Sequence, residues 1–326
     1  MVKGYDFDDL LLIPQPSKVN SRTEVSLEVN FPNMKLDFPI VASPMKGIVG
    51  KELIVGMSQL GGIGILHRFH PDFDSLRDDM QFLYDNCRDG NFGMSVKMGS
   101  NIEMRLGFSM GAKIICIDVA NGYLESVLKY VDSVREYRDK EGYKTLIMAG
   151  NVVTKQGTAN LIDAGVDIVR VGIGSGQLCT TRNYTGVGCP QLTAIEECVI
   201  VTSIAQRHCI ADGGIRNSGD AVKALAKGAD LIMMGSLFAS VYESAHNGII
   251  YGMASRRLQE EYFSSVKSVE GLEKEVDKTV SLKDFIDEFT WGIRSACTYM
   301  NARNLDELRT NATFIEVGDG SIKKGI

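Results

Sequence analysis

Eight short apolar runs, each followed by a stretch long enough for a helix, constrain this chain more than any other feature of its 326 residues. They are Pro39–Ser43 (PIVAS), Gly62–Leu66 (GIGIL), Phe92–Val96 (FGMSV) and Ile114–Ala120 (IICIDVA), then Leu146–Asn151 (LIMAGN), Ile168–Gly172 (IVRVG), Cys209–Gly214 (CIADGG) and Leu231–Gly235 (LIMMG). Nearly every position in them is apolar where a half-exposed strand would alternate, so they read as parallel strands buried on both faces. Between them, Tyr123–Lys140 sets Leu124, Val127, Leu128, Val131 and Val134 on one helical stripe, and Gly157–Ala164 and Ser218–Ala226 behave similarly. Eight such units predict an α/β fold, the (β/α)8 or TIM barrel; a doubly wound open sheet is the alternative on pattern alone. No proline-rich linker, low-complexity tract or composition break divides the chain, so residues 1–326 are expected to form a single barrel domain. The stretch Ala239–Ser281, after the eighth strand, is long, polar and charged, and reads as a lid over the barrel mouth, a flap spanning 240–281.

Composition removes whole classes of function. A chain that is 44% hydrophobic and 23% charged buries a large core, which excludes disorder. Lys+Arg 35 against Asp+Glu 41 leaves a net charge of −6, so no global basic field favours nucleic acid or anionic lipid. A nucleotide ligand stays open, because a phosphate site is built locally. Seven scattered cysteines without a CxxC pair argue against a zinc knuckle or a disulfide framework and for a reducing compartment. The opening MVKGYDFDDLLLIP has early acids where a signal segment is basic and then apolar, and no apolar run reaches membrane-spanning length. A soluble, cytoplasmic protein with no membrane partner is the expectation.

Active sites of this barrel lie at the C-terminal ends of the strands, which directs attention to three places. Strands seven and eight end in Asp212-Gly213-Gly214 and Gly235-Ser236. Glycines there let backbone N–H groups approach an anion, although two turn glycines would look the same. Asp212 beside them suits ribose hydroxyls or, more simply, a helix cap. After strand six, Gly172-Ile173-Gly174-Ser175-Gly176-Gln177-Leu178-Cys179-Thr180-Thr181-Arg182 ends a glycine-rich loop in a thiol flanked by two hydroxyls. A thiolate is an intrinsically good nucleophile, so Cys179 is the candidate for covalent catalysis. The other six cysteines fall in helical or strand patterns and read as small core residues.

Taken together, these segments resemble the IMP dehydrogenase/GMP reductase family over nearly the whole chain. The resemblance is carried by Tyr5–Pro14, Ala42-Ser43-Pro44-Met45, Met148–Thr154, Gly172–Arg182 with Thr185-Gly186-Val187-Gly188, Ile210–Arg216 and Tyr251-Gly252-Met253. Three features are similar to the reductase branch. Asp118–Tyr123 has Asn121 where dehydrogenases commonly carry His, and Thr185–Gly188 is reductase-like. The lid has Glu261-Tyr262 where a dehydrogenase needs an Arg-Tyr pair to activate water, with Arg256 and Arg257 nearby as substitutes. The paired regulatory module that dehydrogenases usually insert after the second strand has no room between His67 and Asn91.

What this resemblance implies is NADPH-dependent reductive deamination of GMP to IMP through a covalent cysteine thioimidate. Cys179 would be the nucleophile, with Thr181 and lid residue Glu270 relaying the proton to the departing amino group. The substrate would meet Met45, Asp212, Gly213, Gly214, Gly235, Ser236, Met253, Lys267 and Gly271. Asp118, Asn151 and Ser295 would serve the cofactor, and the Gly174, Gly176 and Cys179 carbonyls a K⁺ ion. A homotetramer is the family expectation. The runner-up is an IMP dehydrogenase without the regulatory module; a flavin-dependent barrel oxidoreductase or a non-catalytic purine-nucleotide-binding protein are the readings from other classes. The chain also departs from the family: Ser43-Pro44-Met45-Lys46 replaces a more usual Ala-Asn-Met-Asp, Ser175 a Pro, Ala254 a Ser and Lys267 an Arg, and the lid is shorter.

Overall fold

The computed structural model describes residues 3–252, 254–262 and 271–318. All eight apolar runs are strands: β1 (Ile40–Ala42), β2 (Ile63–Leu66), β3 (Phe92–Val96), β4 (Ile114–Asp118), β5 (Leu146–Val152), β6 (Ile168–Val171), β7 (His208–Asp212) and β8 (Leu231–Met234). Each pairs in parallel with its neighbours, and β8 returns to β1, so the sheet is a closed barrel and the open-sheet alternative is excluded. The strands are shorter than the apolar runs because the closing Ser43, Gly172, Gly214 and Gly235 already turn out of the ladder. The exceptions are β3, which coincides with its run, and β5, which continues to Val152 after a register shift between Gly150 and Val152.

Strand side chains split between two cores. Outward residues pack under the helices, while Val41, Ile63, Ile65, Ile114, Cys116, Met148, Ile168, Ile210, Leu231 and Met233 fill the barrel. A hairpin, Val29–Phe31 with Met34–Leu36, plugs the N-terminal end of the barrel with Phe31, Met34 and Leu36. At the other end the apolar filling stops, and the inward series Ile114, Cys116, Asp118 and Ile168, Arg170 turn polar.

The helices follow the expected spans with shifted ends. Lys155–Asp163 starts at Thr154, whose hydroxyl accepts from Gly157 N–H (3.1 Å). The helix Glu125–Glu141 buries Val127, Tyr130, Val131 and Val134. Leu124 leaves the predicted stripe: it precedes the first turn and stays exposed, because the chain is still extended there. In the lid segment, Ile249–Tyr251 pairs antiparallel with Glu273–Glu275, and the helix Arg256–Tyr262 lies between the two strands in the sequence. The chain closes by pairing Leu10–Leu12 with Phe314–Glu316. No helix among the described residues is long and apolar enough to cross a membrane.

Phe31 is nearly buried and meets the His208 ring edge-on at 4.7 Å. Phe31→Ala leaves an apolar void at the plugged end, far from the mouth. A loss of about 3 kcal/mol in urea unfolding is expected, with unchanged m-value.

Candidate active site

The floor of the barrel mouth is an ion network built on one residue that the sequence reading passed over. Arg170, 4% exposed, rises from the middle of β6 into the barrel. Its Nη1 donates to Asp118 Oδ1 at the end of β4 (2.5 Å), and its Nη2 to Asp212 Oδ2 at the end of β7 (2.8 Å). Asp118, Gly150 and Arg170 stand in register across β4, β5 and β6. The absence of a side chain at Gly150 makes this reach possible, since a Cβ there would lie 2.6 Å from that of Arg170. Asn151 Nδ2 donates to Asp212 Oδ2 and to the Gly172 carbonyl, both at 2.7 Å, tying β5 to the same carboxylate.

Burial alone would raise the Asp118 pKa, but the Arg170 and Arg68 guanidiniums outweigh it and hold the carboxyl below its usual value. Burial likewise opposes the charge on Arg170, and Asp212 and Asp118 override it, so the guanidinium stays firmly protonated. The signal available in the sequence was a lone charged residue in the apolar run IVRVG, at a position whose period-two phase matches those of Asp118 and Asp212.

Above this floor, the loop after β6 carries Cys179. The loop is shaped by its own backbone: Cys179 N–H donates to the Gly176 carbonyl (3.0 Å), and the Ser175 hydroxyl to the Asp212 carbonyl (3.2 Å). The Cys179 thiol is exposed and lies 3.2 Å from Thr181 Oγ1, at the start of a short helix, Thr181–Thr185. Cys179 also forms an isolated antiparallel bridge with Gly271, next to which Leu272 N–H donates to the Leu178 carbonyl (3.0 Å). The lid strands therefore come back to the cysteine. Only glycine suits this crossing, because a Cβ on Gly271 would lie 2.9 Å from Ser255 N and 3.2 Å from Gly252 Cα.

Between floor and loop lies a cavity of about 440 Å³. Met45, Asp118, Asn151, Gly174, Gly176 and Cys179 line it, as do Thr181, Asp212, Gly213, Gly214, Gly235 and Ser236, so twelve of the predicted site residues meet in one place. Ser236 Oγ donates to Gln177 Oε1 across it (3.2 Å), and the buried Asn151 Oδ1 has no partner among the described residues. Gly271 reaches the site through its bridge to Cys179. Met253, Lys267 and Glu270 lie outside the described residues.

This arrangement agrees with what the chain is similar to. A sequence model of the IMP dehydrogenase / GMP reductase domain matches residues 4–325. The chain belongs to that family. Among its relatives, the GMP reductase of Caenorhabditis elegans is 36% identical over 335 residues, covering 96% of this chain and 91% of the relative. GMP reductase 1 of Mus musculus is 37% identical and GMP reductase 2 of Homo sapiens 36%, each alignment covering 96% of this chain and 94% of the relative.

The two other residues that the family resemblance assigns to the cofactor lie in different places. Ser295 does not line the cavity. It lies on the helix Leu282–Tyr299, between Trp291 and Thr298, which line a separate hollow of about 470 Å³ together with Gln15, Asn20 and Arg22. The helix packs against Ser218–Ala226 on the outside of the barrel, which keeps Ser295 away from its own chain's mouth. Asn151, expected on the cofactor side, lines the cavity, with its amide Nδ2 donating to Asp212 and its Oδ1 without a partner among the described residues.

The cysteines sort as their chemistry requires. Cys116, Cys198, Cys209 and Cys297 are buried, and burial pushes the Cys116 and Cys198 thiols up to about 12 and that of Cys297 to about 11. Cys87 and Cys189 are half-buried and lie between regular elements, not within them as their sequence patterns suggested. Cys179 alone of the seven is exposed.

Removing Arg170 strands two carboxylates in a poorly solvated place. Arg170→Met is expected to cost about 3 kcal/mol at neutral pH, near the low end for a broken buried pair because both carboxylates open onto the cavity. The wild-type Asp118 has a depressed folded pKa, so its contribution is present above its ordinary value of 3.8 and is lost as pH falls through the folded value. In the variant, burial is no longer opposed by Arg170, protons bind more readily, and the deficit shrinks as pH is lowered toward 4. Denaturant melts of both proteins across pH 4–8 measure this.

Proposed function

We propose that this chain is a GMP reductase, reducing GMP to IMP with release of ammonia, and that Cys179 is its nucleophile. The observation that carries the reading is the exposed Cys179 thiol beside Thr181, at the rim of a nucleotide-sized cavity floored by Asp118, Arg170 and Asp212. Relatives bearing the name GMP reductase, aligned over nearly all of the chain, support it.

In this reading the backbone N–H groups of Gly213, Gly214, Gly235 and Ser236 take the 5′-phosphate, with the Ser236 hydroxyl exchanging Gln177 for the anion. Both protein contacts to Asp212 fall on Oδ2, which leaves Oδ1 to accept from the ribose hydroxyls. Met45 packs against the purine. The Cys179 thiolate adds to C2, the amino group takes a proton relayed through Thr181 and departs as ammonia, and a C2–S bond remains. NADPH, when bound, supplies the hydride to C2; the C2–S bond then breaks and the thiolate is regenerated. One hydride and one proton are consumed for each amino group lost.

The cavity offers that cofactor specific polar groups. Asn151 Oδ1, buried and unpartnered among the described residues, suits an amide N–H, and the Asp118 carboxylate stays ionised beside it. Ser295 can serve the cofactor only if a second protomer brings its outer helix to this mouth, which links the cofactor assignment to the proposed homotetramer. A K⁺ ion on the Gly174, Gly176 and Cys179 carbonyls would stiffen the loop. The Gly176 carbonyl, which accepts one hydrogen bond from Cys179 N–H, has a second lone pair for it. Glu270 and Lys267 complete the proposal as proton source and substrate contact, and the whole lid as a flap that closes over the mouth. A reducing, cytoplasmic setting suits its free thiols.

The dehydrogenase alternative needs an arginine base at the mouth. Neither candidate lines the cavity: Arg256 pairs with Glu260 (3.8 Å), and Arg257 lies over the Tyr251 ring at 5.3 Å.

Absorbance at 340 nm tests the assignment. GMP-dependent loss of NADPH is expected, with kcat falling by at least about a thousandfold in Cys179→Ala while the melting temperature holds. NADH formed from IMP and NAD⁺ would establish the dehydrogenase instead, and silence in both directions the binding protein. In the same assay, replacing K⁺ by N-methylglucamine is expected to lower kcat more than it changes KM for GMP.

A further inference from the structure

We propose that Lys46 is a positioning residue for the Cys179 site: its ammonium pins the helix Arg256–Tyr262 to the barrel mouth and so fixes one end of the segment that returns to the cysteine. The inference rests on the reading of that site given above and deepens it, because Lys46 acts through the lid without lining the cavity.

Lys46 follows Met45 in the loop leaving β1. Its Nζ is hydrogen-bonded to Glu261 Oε1 and to the Tyr262 hydroxyl, and lies 4.1 Å from the centroid of the Tyr262 ring. The lysine side chain is 20% exposed and that of Glu261 45%, so the pair is partly shielded from solvent. Burial works against the charge on Lys46, yet the two hydrogen bonds outweigh it and hold its pKa above the ordinary lysine value.

The helix needs such a hold. Seven residues are too few to persist as a helix unaided. Its apolar attachment is small: Leu258 is fully buried, in a cluster with Phe69 and Tyr251 that is separate from the barrel core. Tyr262 joins this cluster edge-on to Phe69 at 5.4 Å. Lys46 grips the last two residues of the helix, the end at which a cation is electrostatically favoured.

Beyond Tyr262, residues 263–270 separate this grip from Gly271, which is bridged to Cys179. Glu261 supplies the charge complementary to Lys46.

Two readouts test the proposal, and the first needs no nucleotide. Arg256 and Arg257 are exposed and mark tryptic sites on the helix. Lys46→Met keeps the aliphatic stem but loses charge and donors; it is expected to speed cleavage at these sites by roughly threefold. Its kcat should fall in proportion, while KM for GMP and the melting temperature hold. The exchange Lys46→Glu with Glu261→Lys should return both cleavage and kcat toward wild type, which a merely structural lysine would not allow. Unchanged cleavage in Lys46→Met would overturn the proposal, as would an exchange no better than its single variants. A raised KM for GMP with unchanged cleavage would make Lys46 a substrate contact and overturn it too. Because trypsin reports on the helix whatever reaction the chain performs, failure of the proposal stays distinct from failure of the GMP reductase reading.

Discussion

A single buried cation sets the terms for the mouth of this barrel. Arg170 carries five N–H donors and no acceptor, and taken out of water it needs anions placed to fit its fork. Those anions come from two other strands: Asp118 from β4 and Asp212 from β7. They meet Arg170 only when β5 stands between β4 and β6 in the observed register, with a glycine at the crossing, and when β7 closes against β6. Barrel closure and site assembly are thus one event. A slipped strand would leave three charges desolvated and unpaired, a penalty far larger than any surface ion pair could offset.

The network also divides the interior by chemistry. Below it, layers of Ile, Val, Met and Leu fill the barrel down to the Phe31 plug and provide bulk stability. Above it, backbone contacts and glycines hold the loops, so groups are exposed at small cost in packing. Cys179 gains its exposure there, while four other thiols lie in hydrocarbon where ionisation is suppressed. The Asp118 carboxylate below the cysteine stays ionised because the Arg170 and Arg68 guanidiniums outweigh its burial. The cavity is thereby kept from presenting two unpaired carboxylates.

The lid is attached on different terms. Its strands form a two-stranded ribbon, and the helix between them touches the barrel through one small apolar cluster and the Lys46 contacts. Few buried contacts over many exposed ones describe an element at the low-stability end of a fold, where moving parts are found. The ribbon nevertheless returns to the exposed thiol through the bridge between Gly271 and Cys179.

Much of this was legible in the residues. Continuous apolar runs can only be strands covered on both faces, and eight of them with helical spacers leave few architectures, so the barrel and all eight strands could be read. Glycine-rich strand ends likewise marked Cys179, Asp212 and the glycines that line the cavity, because local backbone freedom leaves a local trace. What the residues do not report is whatever depends on distant partners. Leu124 had the right spacing for its stripe, but where a helix starts is decided by its neighbours. The helix carrying Ser295 packs on the outside of its own barrel, and no spacing along the chain reports that. Arg170 was visible as a charge in an apolar strand, but its role depends on residues 52 and 42 positions away in sequence. Lys46 was an oddity until Glu261, 215 residues later, supplied its counterion. Sequence by itself determined the strands and the class of fold and pointed to the thiol of Cys179, since these follow from local periodicity and residue chemistry. Tertiary structure alone decided which charges are paired and which face the ligand, because the field at a buried group is set by what closure brings beside it.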